Sequence, residues 1–475
     1  MNRQFEWKIN NYTKFSWTSY IKFIKISVWL FGLNHSNFRP SLLKLGLRIE
    51  KLVKLSGMTF TCQYLKECVR LCQKHIAGES TQSSDEPRVA VCRGLPLIIP
   101  GDLRLRMEAK DLRIIKVVLT VLSVFRVMPA APKLKLETIT SPFKGVYKTT
   151  PEIISVVQQL KSLFVDKKTL DYFNADRSPF VVRRRLITLT TAGPNHKNQL
   201  LGYPLDALAL TRNPKLLKAF TVFAINTNCQ GLIDKLHQEI KIFYSNQVND
   251  LLKFWIPGKG VSQLKVGKLA LKQEPAGKVR VFAIVDAWTQ SLLAPLHKNL
   301  FNILKNIPSD GTFDQLKPVK RLLNKGLKEL YSYDLSAATD RLPIDLQVDL
   351  LSSLFNDKET AIAWKELLVD RDYNLTTTLF PQSNGNYRYS VGQPMGALSS
   401  WAMLALTHHA IVQIAAQRIG HIDWFEDYAL LGDDIVIADP LVAKAYLKLM
   451  TDLGVDINLS KSLVSKIGIA EFAKK

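Results

Sequence analysis

The 475-residue chain predicts an α+β fold on three observations. Short β-prone runs end at turn or acidic residues: around Lys278–Ile284, at Tyr331–Asp334, and on both sides of Gly432-Asp433-Asp434. Between them lie stretches whose apolar residues recur at helical spacing and whose ends carry capping residues. Hydrophobic residues make up 47% and charged residues 22%, which suits a packed core and excludes a disordered chain.

Lys and Arg number 64 against 41 Asp and Glu, a net charge of +23. Such a surplus attracts polyanions, nucleic acid above all. The length accommodates two or three domains of about 100–200 residues each. With 23 Gly and 5 Cys, collagen-like and disulfide-scaffold readings fail. The cysteines are Cys62, Cys68, Cys72, Cys92 and Cys229, an odd set that reads as free thiols. Cys68 and Cys72 would share one helix face, but no His or Cys pair completes a zinc site. No segment reaches the roughly 18 uninterrupted apolar residues of a membrane span. Ile21–Leu33 is interrupted by Lys22 and Lys25, and Ile114–Phe125 by Lys116, so both are expected as core elements.

Residues 1–145 read as a basic N-terminal extension with few sharp signals. The first 33 are basic and aromatic, as in a transit peptide, but poor in Arg and Ser. Glu79–Glu86 is a polar loop, and Pro129, Pro132 and Pro142 mark a second break. In residues 146–330, Pro151 opens a helix with Ile153, Val156, Val157, Leu160 and Leu163 at helical spacing. Arg183, Arg184 and Arg185 read as a solvated run or as a phosphate contact. Lys278 and Arg280 alternate with Val279 and Val281, so a strand would project both cations from one face. That face could neutralise a triphosphate with Lys272 nearby, or simply be solvated.

From Tyr331 to Asp439 the charge reverses: fifteen acidic residues against six basic, a balance of −9 that leaves +32 elsewhere. A cation-binding centre and a polyanion-binding remainder would account for both. Tyr331–Asp334 is a short β-prone run ending in a carboxylate, followed by small residues to Asp340 and by Pro343, which could start a helix. Gly392-Gln-Pro-Met-Gly396-Ala-Leu-Ser399-Ser400 precedes a helix to Arg418, which Ser399 or Ser400 could cap and Gly420 end. His408 and His409 fall inside that helix and read as packing or surface residues rather than metal ligands. Tyr428–Ala438 reads as a tight hairpin with carboxylates at its tip, an arrangement an ordinary hairpin also produces. Asp439 as cap, Pro440 in the first turn and Gly454 at the end outline another helix. Lys461 follows and could donate a proton. In this order, two strands presenting Asp334 and Asp433 can hold two Mg²⁺ ions about 3.5–4 Å apart for in-line phosphoryl chemistry.

The ordered set resembles viral RNA-dependent RNA polymerases, most closely the mitovirus replicases. The matching stretches are EPAGKVRVFAIVDAWTQSLLAPLHKNLFNIL (274–304), DGTFDQ (310–315), YDLSAATDRLP (333–343), GQPMGALSSWAMLALTHH (392–409), LLGDDIVIAD (430–439), LGVDINLSKSLVS (453–465) and AEFAKK (470–475). The resemblance implies a right-hand fold: 146–330 a fingers-type region, and 331–475 a palm with an inserted fingers segment, truncated before the thumb. It implies Asp334, Asp433 and Asp434 as catalytic metal ligands for Mg²⁺, with Mn²⁺ the alternative. Asp340, Ser399 and Ser400 would read the ribose of the incoming nucleotide, and Gly392 and Gly396 would give their loop mobility. Lys272, Lys278 and Arg280 would hold the triphosphate, and Lys461 would be the general acid for pyrophosphate. The implied partners are RNA template, RNA product and ribonucleoside triphosphates, and the implied compartment is the mitochondrion.

Two other readings stay open at this level. One is a catalytically silent RNA-binding remnant of such a replicase, suggested by the expected truncation on a chain that is still +23. The other is a reverse transcriptase, against which Gly432 before the Asp pair and Asp340 at the ribose-reading position both argue.

Overall fold

The computed structural model describes residues 16–33, 37–79, 87–146, 151–174, 191–244, 263–458 and 462–473. The chain forms two compact units, Met1–Lys133 with Gln273–Val279, and Leu134–Lys272 with Arg280–Lys475.

The first unit is built on helices α1 (Trp17–Leu30), α2 (Arg39–Ala77), α3 (Gly101–Glu108) and α4 (Leu112–Leu122). Ser16 caps α1 through the Ser19 N–H at 3.1 Å, and Asp111 caps α4 through the N–H groups of Arg113 and Ile114. α2 is interrupted at Gly57 and stops at left-handed Gly78. Their apolar faces meet in one core that includes Ile24, Leu45, Leu65, Leu103, Val117 and Leu122. The two hydrophobic runs Ile21–Leu33 and Ile114–Phe125 are thus core elements. The Tyr20 hydroxyl donates to Val121 O at 3.0 Å and ties α1 to α4. Cys68 and Cys72 lie one turn apart inside this core, and burial pushes both thiols up. A thiol so protonated is an inert packing group. Among the described residues no His, Cys, Asp and Glu cluster forms a metal site in either unit.

In the second unit, six helices position the site: α5 (Glu152–Phe164), α6 (Ala287–Asn306), α7 (Ile344–Phe355), α8 (Lys358–Val369), α9 (Ser400–Gln417) and α10 (Pro440–Asp452). From Ala402 to Ala416 every residue of α9 is buried. A helix buried on all sides sits inside its core, and α6, α7 and α10 contribute to the same cluster.

Two four-stranded sheets complete the unit. One has the order β2 (Val279–Val285), β1 (Gly267–Gln273), β4 (Tyr373–Leu375), β5 (Gly385–Tyr387), with β1 parallel to β4. The other has the order β8 (Leu463–Ser465), β3 (Leu330–Asp334), β7 (Asp434–Ile437), β6 (Tyr428–Leu431), antiparallel throughout. The period of two sorts its residues. Tyr333, Tyr428, Leu430, Ile435 and Ile437 enter the large core, while Leu330, Ala429 and Val436 form a second cluster with Leu322 and Phe472. By the same alternation Asp334 and Asp434 lie on the face of Leu330 and Val436.

A buried charge network fixes the start of α6. Asp286 caps the helix through the Thr289 N–H at 2.8 Å and accepts from Arg371 at 2.6 Å, with side chains only 1% and 0% exposed. Arg371 also donates to Val266 O and to the Thr289 hydroxyl. Asp206 accepts the Ala287 N–H at 3.1 Å. Burial, reinforced by the Asp286 charge, pushes its carboxyl up to about 7.

Candidate active site

The hairpin expected at Tyr428–Ala438 is present. β6 and β7 pair with Leu431 opposite Asp434, leaving the two-residue turn Gly432-Asp433. Gly432 has φ +60, a left-handed backbone at the first turn position that an L side chain adopts only at a cost. Asp433 is exposed at the tip, and Asp434 is half-buried at the start of β7.

β3 brings the third carboxylate. Asp334 pairs in register with Asp434, and directly opposed residues stand about 5 Å apart at Cβ. The chain after Asp334 stays tied to the same sheet end: Leu335 N donates to Asp433 O at 3.4 Å and Ser336 N to Asp456 O at 2.9 Å. Asp334 O accepts the Asn458 N–H at 3.0 Å. Two strands and one turn therefore gather Asp334, Asp433 and Asp434 at one edge. Among the described residues they do not close into an all-protein cage. Mg²⁺ does not require one, because it is commonly held by one or two carboxylates together with substrate phosphates and water. The oxygen donor set fits that ion.

Asp340 lies in a short helical turn (Ala338–Arg341) that follows left-handed Ala337, φ +51. Burial raises the Asp340 carboxyl, opposed by a hydrogen bond with Thr138 and the Arg341 charge. Arg341 is itself engaged with Ser141 O at 2.6 Å and Pro142 O at 2.9 Å. The Gly392 loop runs alongside: Gly392 N donates to Asp340 O and Gln393 N to Thr339 O, each at 3.0 Å. Asp340 and the loop that leads to Ser399 are thus joined through backbone.

Gly396 has φ +120, and a Cβ there would stand 2.4 Å from Ala283 O. Met395 O accepts the Ala283 N–H at 2.7 Å, holding the loop against β2. Close backbone approach accounts for this glycine.

The capping role expected of Ser399 or Ser400 fails. Ser399 precedes α9 with φ +72 and makes no side-chain cap. Its hydroxyl accepts the Trp364 indole N–H at 2.9 Å, and its N–H donates to His297 Nδ1 at 3.1 Å. Tertiary partners have taken both polar groups, so the left-handed turn is held from outside the helix. Both serines are buried.

The expected cations are divided. Lys278 lies just before β2, in the first unit, while Lys272 and Arg280 belong to the second. Lys272 and Lys278 are exposed, and Arg280 is half-buried. Lys461 and Arg183 to Arg185 lie outside the described residues.

The structure adds residues to which the sequence assigned no such role. His408 and His409 are buried, not at the surface, and both support the hairpin. His408 Nδ1 donates to Gly432 O at 2.8 Å and Nε2 accepts from the Tyr446 hydroxyl at 2.7 Å. Burial lowers His408 to about 4, so at neutral pH the ring is neutral and this tautomer follows from the carbonyl. Tyr446 stacks on Tyr333, the residue before Asp334, with centroids 6.0 Å apart and planes at 9°. Next along α9, His409 lies 2.7 Å from the Tyr428 hydroxyl through Nδ1 and 3.0 Å from Asp310 Oδ2 through Nε2. Asp310 bridges to Leu430 in parallel, and Gly311 N donates to Leu430 O at 2.8 Å. α9 thereby grips the hairpin at its tip and at its base. The adjacent histidines in the Thr-His-His run were the only sequence signal, and their partners lie 19 to 99 residues away.

Comparison with known proteins gives concordant results. A family described as mitovirus RNA-dependent RNA polymerase matches residues 181–475. The RNA-directed RNA polymerase of Cryphonectria parasitica mitovirus 1 is 36% identical over 473 residues, covering 96% of this chain and 54% of that protein. The chain thus spans about half the length of that relative. An uncharacterized mitochondrial protein of Arabidopsis thaliana is 42% identical over 179 residues, 37% of this chain and 69% of that protein. An RNA-directed RNA polymerase of Saccharomyces 23S RNA narnavirus is 30% identical over 169 residues, 33% of this chain and 17% of that protein. With more than half of its residues inside the family match, the chain belongs to the mitovirus RNA-dependent RNA polymerase family.

Proposed function

We propose that the chain carries out template-directed nucleotidyl transfer, copying RNA into RNA from ribonucleoside triphosphates to replicate a viral genome. The observation that carries this is the register of the second sheet: Asp334 opposite Asp434, with Asp433 on the turn between β6 and β7. In this reading the sheet β8-β3-β7-β6 with α9 and α10 is the palm, and β1 and β2 with the helices between residues 146 and 330 belong to the fingers. The mitovirus and plant mitochondrial relatives support a mitochondrial setting.

When bound, Mg²⁺ supplies Lewis acidity at the attacking 3′-hydroxyl and at the leaving phosphate. The chain's own residues supply the frame. Asp334, Asp433 and Asp434 are the oxygen donors, set by strand register before any ligand arrives. Asp340, joined to the Gly392 loop through backbone, would accept a hydrogen bond from a ribose hydroxyl. Ser399 and Ser400, both buried, would act on ribose selection through the shape of the loop. Lys272 and Arg280 offer charge to the triphosphate. Lys461 is the proposed proton donor to pyrophosphate.

Incubation with an RNA template, labelled ribonucleotides and Mg²⁺ tests the reading. The chain should incorporate label, and Asp334→Ala should reduce the rate by about a hundredfold or more. RNA binding without any incorporation would replace this reading with that of a silent RNA-binding protein. Equal or faster use of deoxynucleotides would point to reverse transcription.

A further inference from the structure

We propose that Trp401, with Phe301 and Phe313, forms a stacking platform for an RNA base beside the Asp433 turn. The inference rests on the polymerase reading and specifies how the RNA strand is held there. Trp401 is the one exposed residue between Ser400 and Ala416 on a helix otherwise buried on every side. It is 37% exposed, whereas every residue from Ala402 to Ala416 is buried. Its indole lies against the turn, with Nε1 3.4 Å from the position a Cβ on Gly432 would take. The ring stacks on Phe301 of α6 with centroids 5.6 Å apart and planes at 12°. Phe313, 59% exposed, meets Phe301 edge-on at 6.1 Å.

Charge selects the occupant. Lys298 and Lys305 lie three residues before and four after Phe301, so helical geometry places all three on one face of α6. Both lysines are exposed, and neither has an ion-pair partner among the described residues. The two nearest carboxylates in sequence are otherwise engaged: Asp310 contacts His409, and Asp314 accepts the Leu316 and Lys317 N–H groups. Aromatic faces interleaved with unpaired cations suit a strand of stacked bases on a phosphate backbone. They do not suit an apolar protein surface, which would leave both lysines buried without partners.

The test measures RNA affinity of the full chain without nucleotides, by fluorescence anisotropy. Two labelled probes of about 12 nucleotides are compared, one of uridine and one with the same sugar–phosphate backbone but no bases. Trp401→Ala should weaken uridine-RNA binding roughly tenfold and leave the base-free probe unchanged. Trp401→Phe should keep most of the affinity. Phe313→Ser should also weaken binding to uridine RNA selectively, and its exposure makes that variant safe for folding. Equal losses on both probes would reduce the effect to general disruption and overturn the platform, as would full affinity in Trp401→Ala. Base-selective loss in a chain that never incorporates nucleotide would support the platform and sink the polymerase reading alone.

Discussion

At the scale of single residues, the position of Asp433 is governed by a carbonyl one residue away. Gly432 O accepts from His408 Nδ1, and His408 is in turn held by Tyr446. His408→Phe would leave that carbonyl and the Tyr446 hydroxyl unpaired in a buried site, at a cost of about 1–3 kcal/mol. The same residue gives stability a pH dependence with a definite sign. Its folded-state value is about 4, below the ordinary 6.5, so between these limits the unfolded chain binds the extra proton. Stability from this group is therefore present above pH 6.5 and is lost as pH falls toward 4, by about 3 kcal/mol at most. Denaturant titrations at pH 4.5 and pH 7 check this: the wild-type chain should lose more stability on acidification than His408→Phe does. Other groups titrate in both proteins and cancel in the difference.

At the scale of elements, the Asp286–Arg371 pair anchors α6 to the chain before β1 and the segment before β4. Arg371→Leu would strand Asp286 in the core beside Asp206, and removing one partner of a buried pair costs about 3–5 kcal/mol. A drop of that size in unfolding free energy is expected, and a loss below about 1 kcal/mol would mean that the pair does not anchor α6. The elements that sequence disclosed best are those whose signals are local. Asp439 caps α10 through Leu441 and Val442 N–H groups, both at 2.8 Å, as the Asp-Pro pair foretold. The hairpin was legible because a glycine that can adopt φ +60 sits between two β-prone runs. Ser399 was misread because a cap is a local inference, whereas its hydroxyl is claimed by Trp364, 35 residues earlier. The supporting roles of His408, His409 and Asp310 were hidden for the same reason. Their meaning lies in partners brought together only by the packing of α9 against the sheet. Left-handed Ala276, Ala337 and Ser399 left no trace in composition at all, yet each falls in a matched stretch.

At the scale of the whole molecule, the charge partition and the family membership converge. The stretch from Tyr331 to Asp439 is −9 within a chain of +23, and it contains the three gathered carboxylates. The remaining surplus suits a phosphate backbone, so RNA affinity should fall as salt rises. Under the proposed function the Asp433 turn takes part in chemistry on RNA rather than merely closing a hairpin. Primer extension on an RNA template with Mg²⁺, run beside RNA-affinity measurements for the chain and its Asp433→Asn variant, tests it most directly. Extension by the chain is expected, with a loss of about a hundredfold or more in the variant and RNA affinity nearly unchanged. Equal extension by Asp433→Asn would contradict that role.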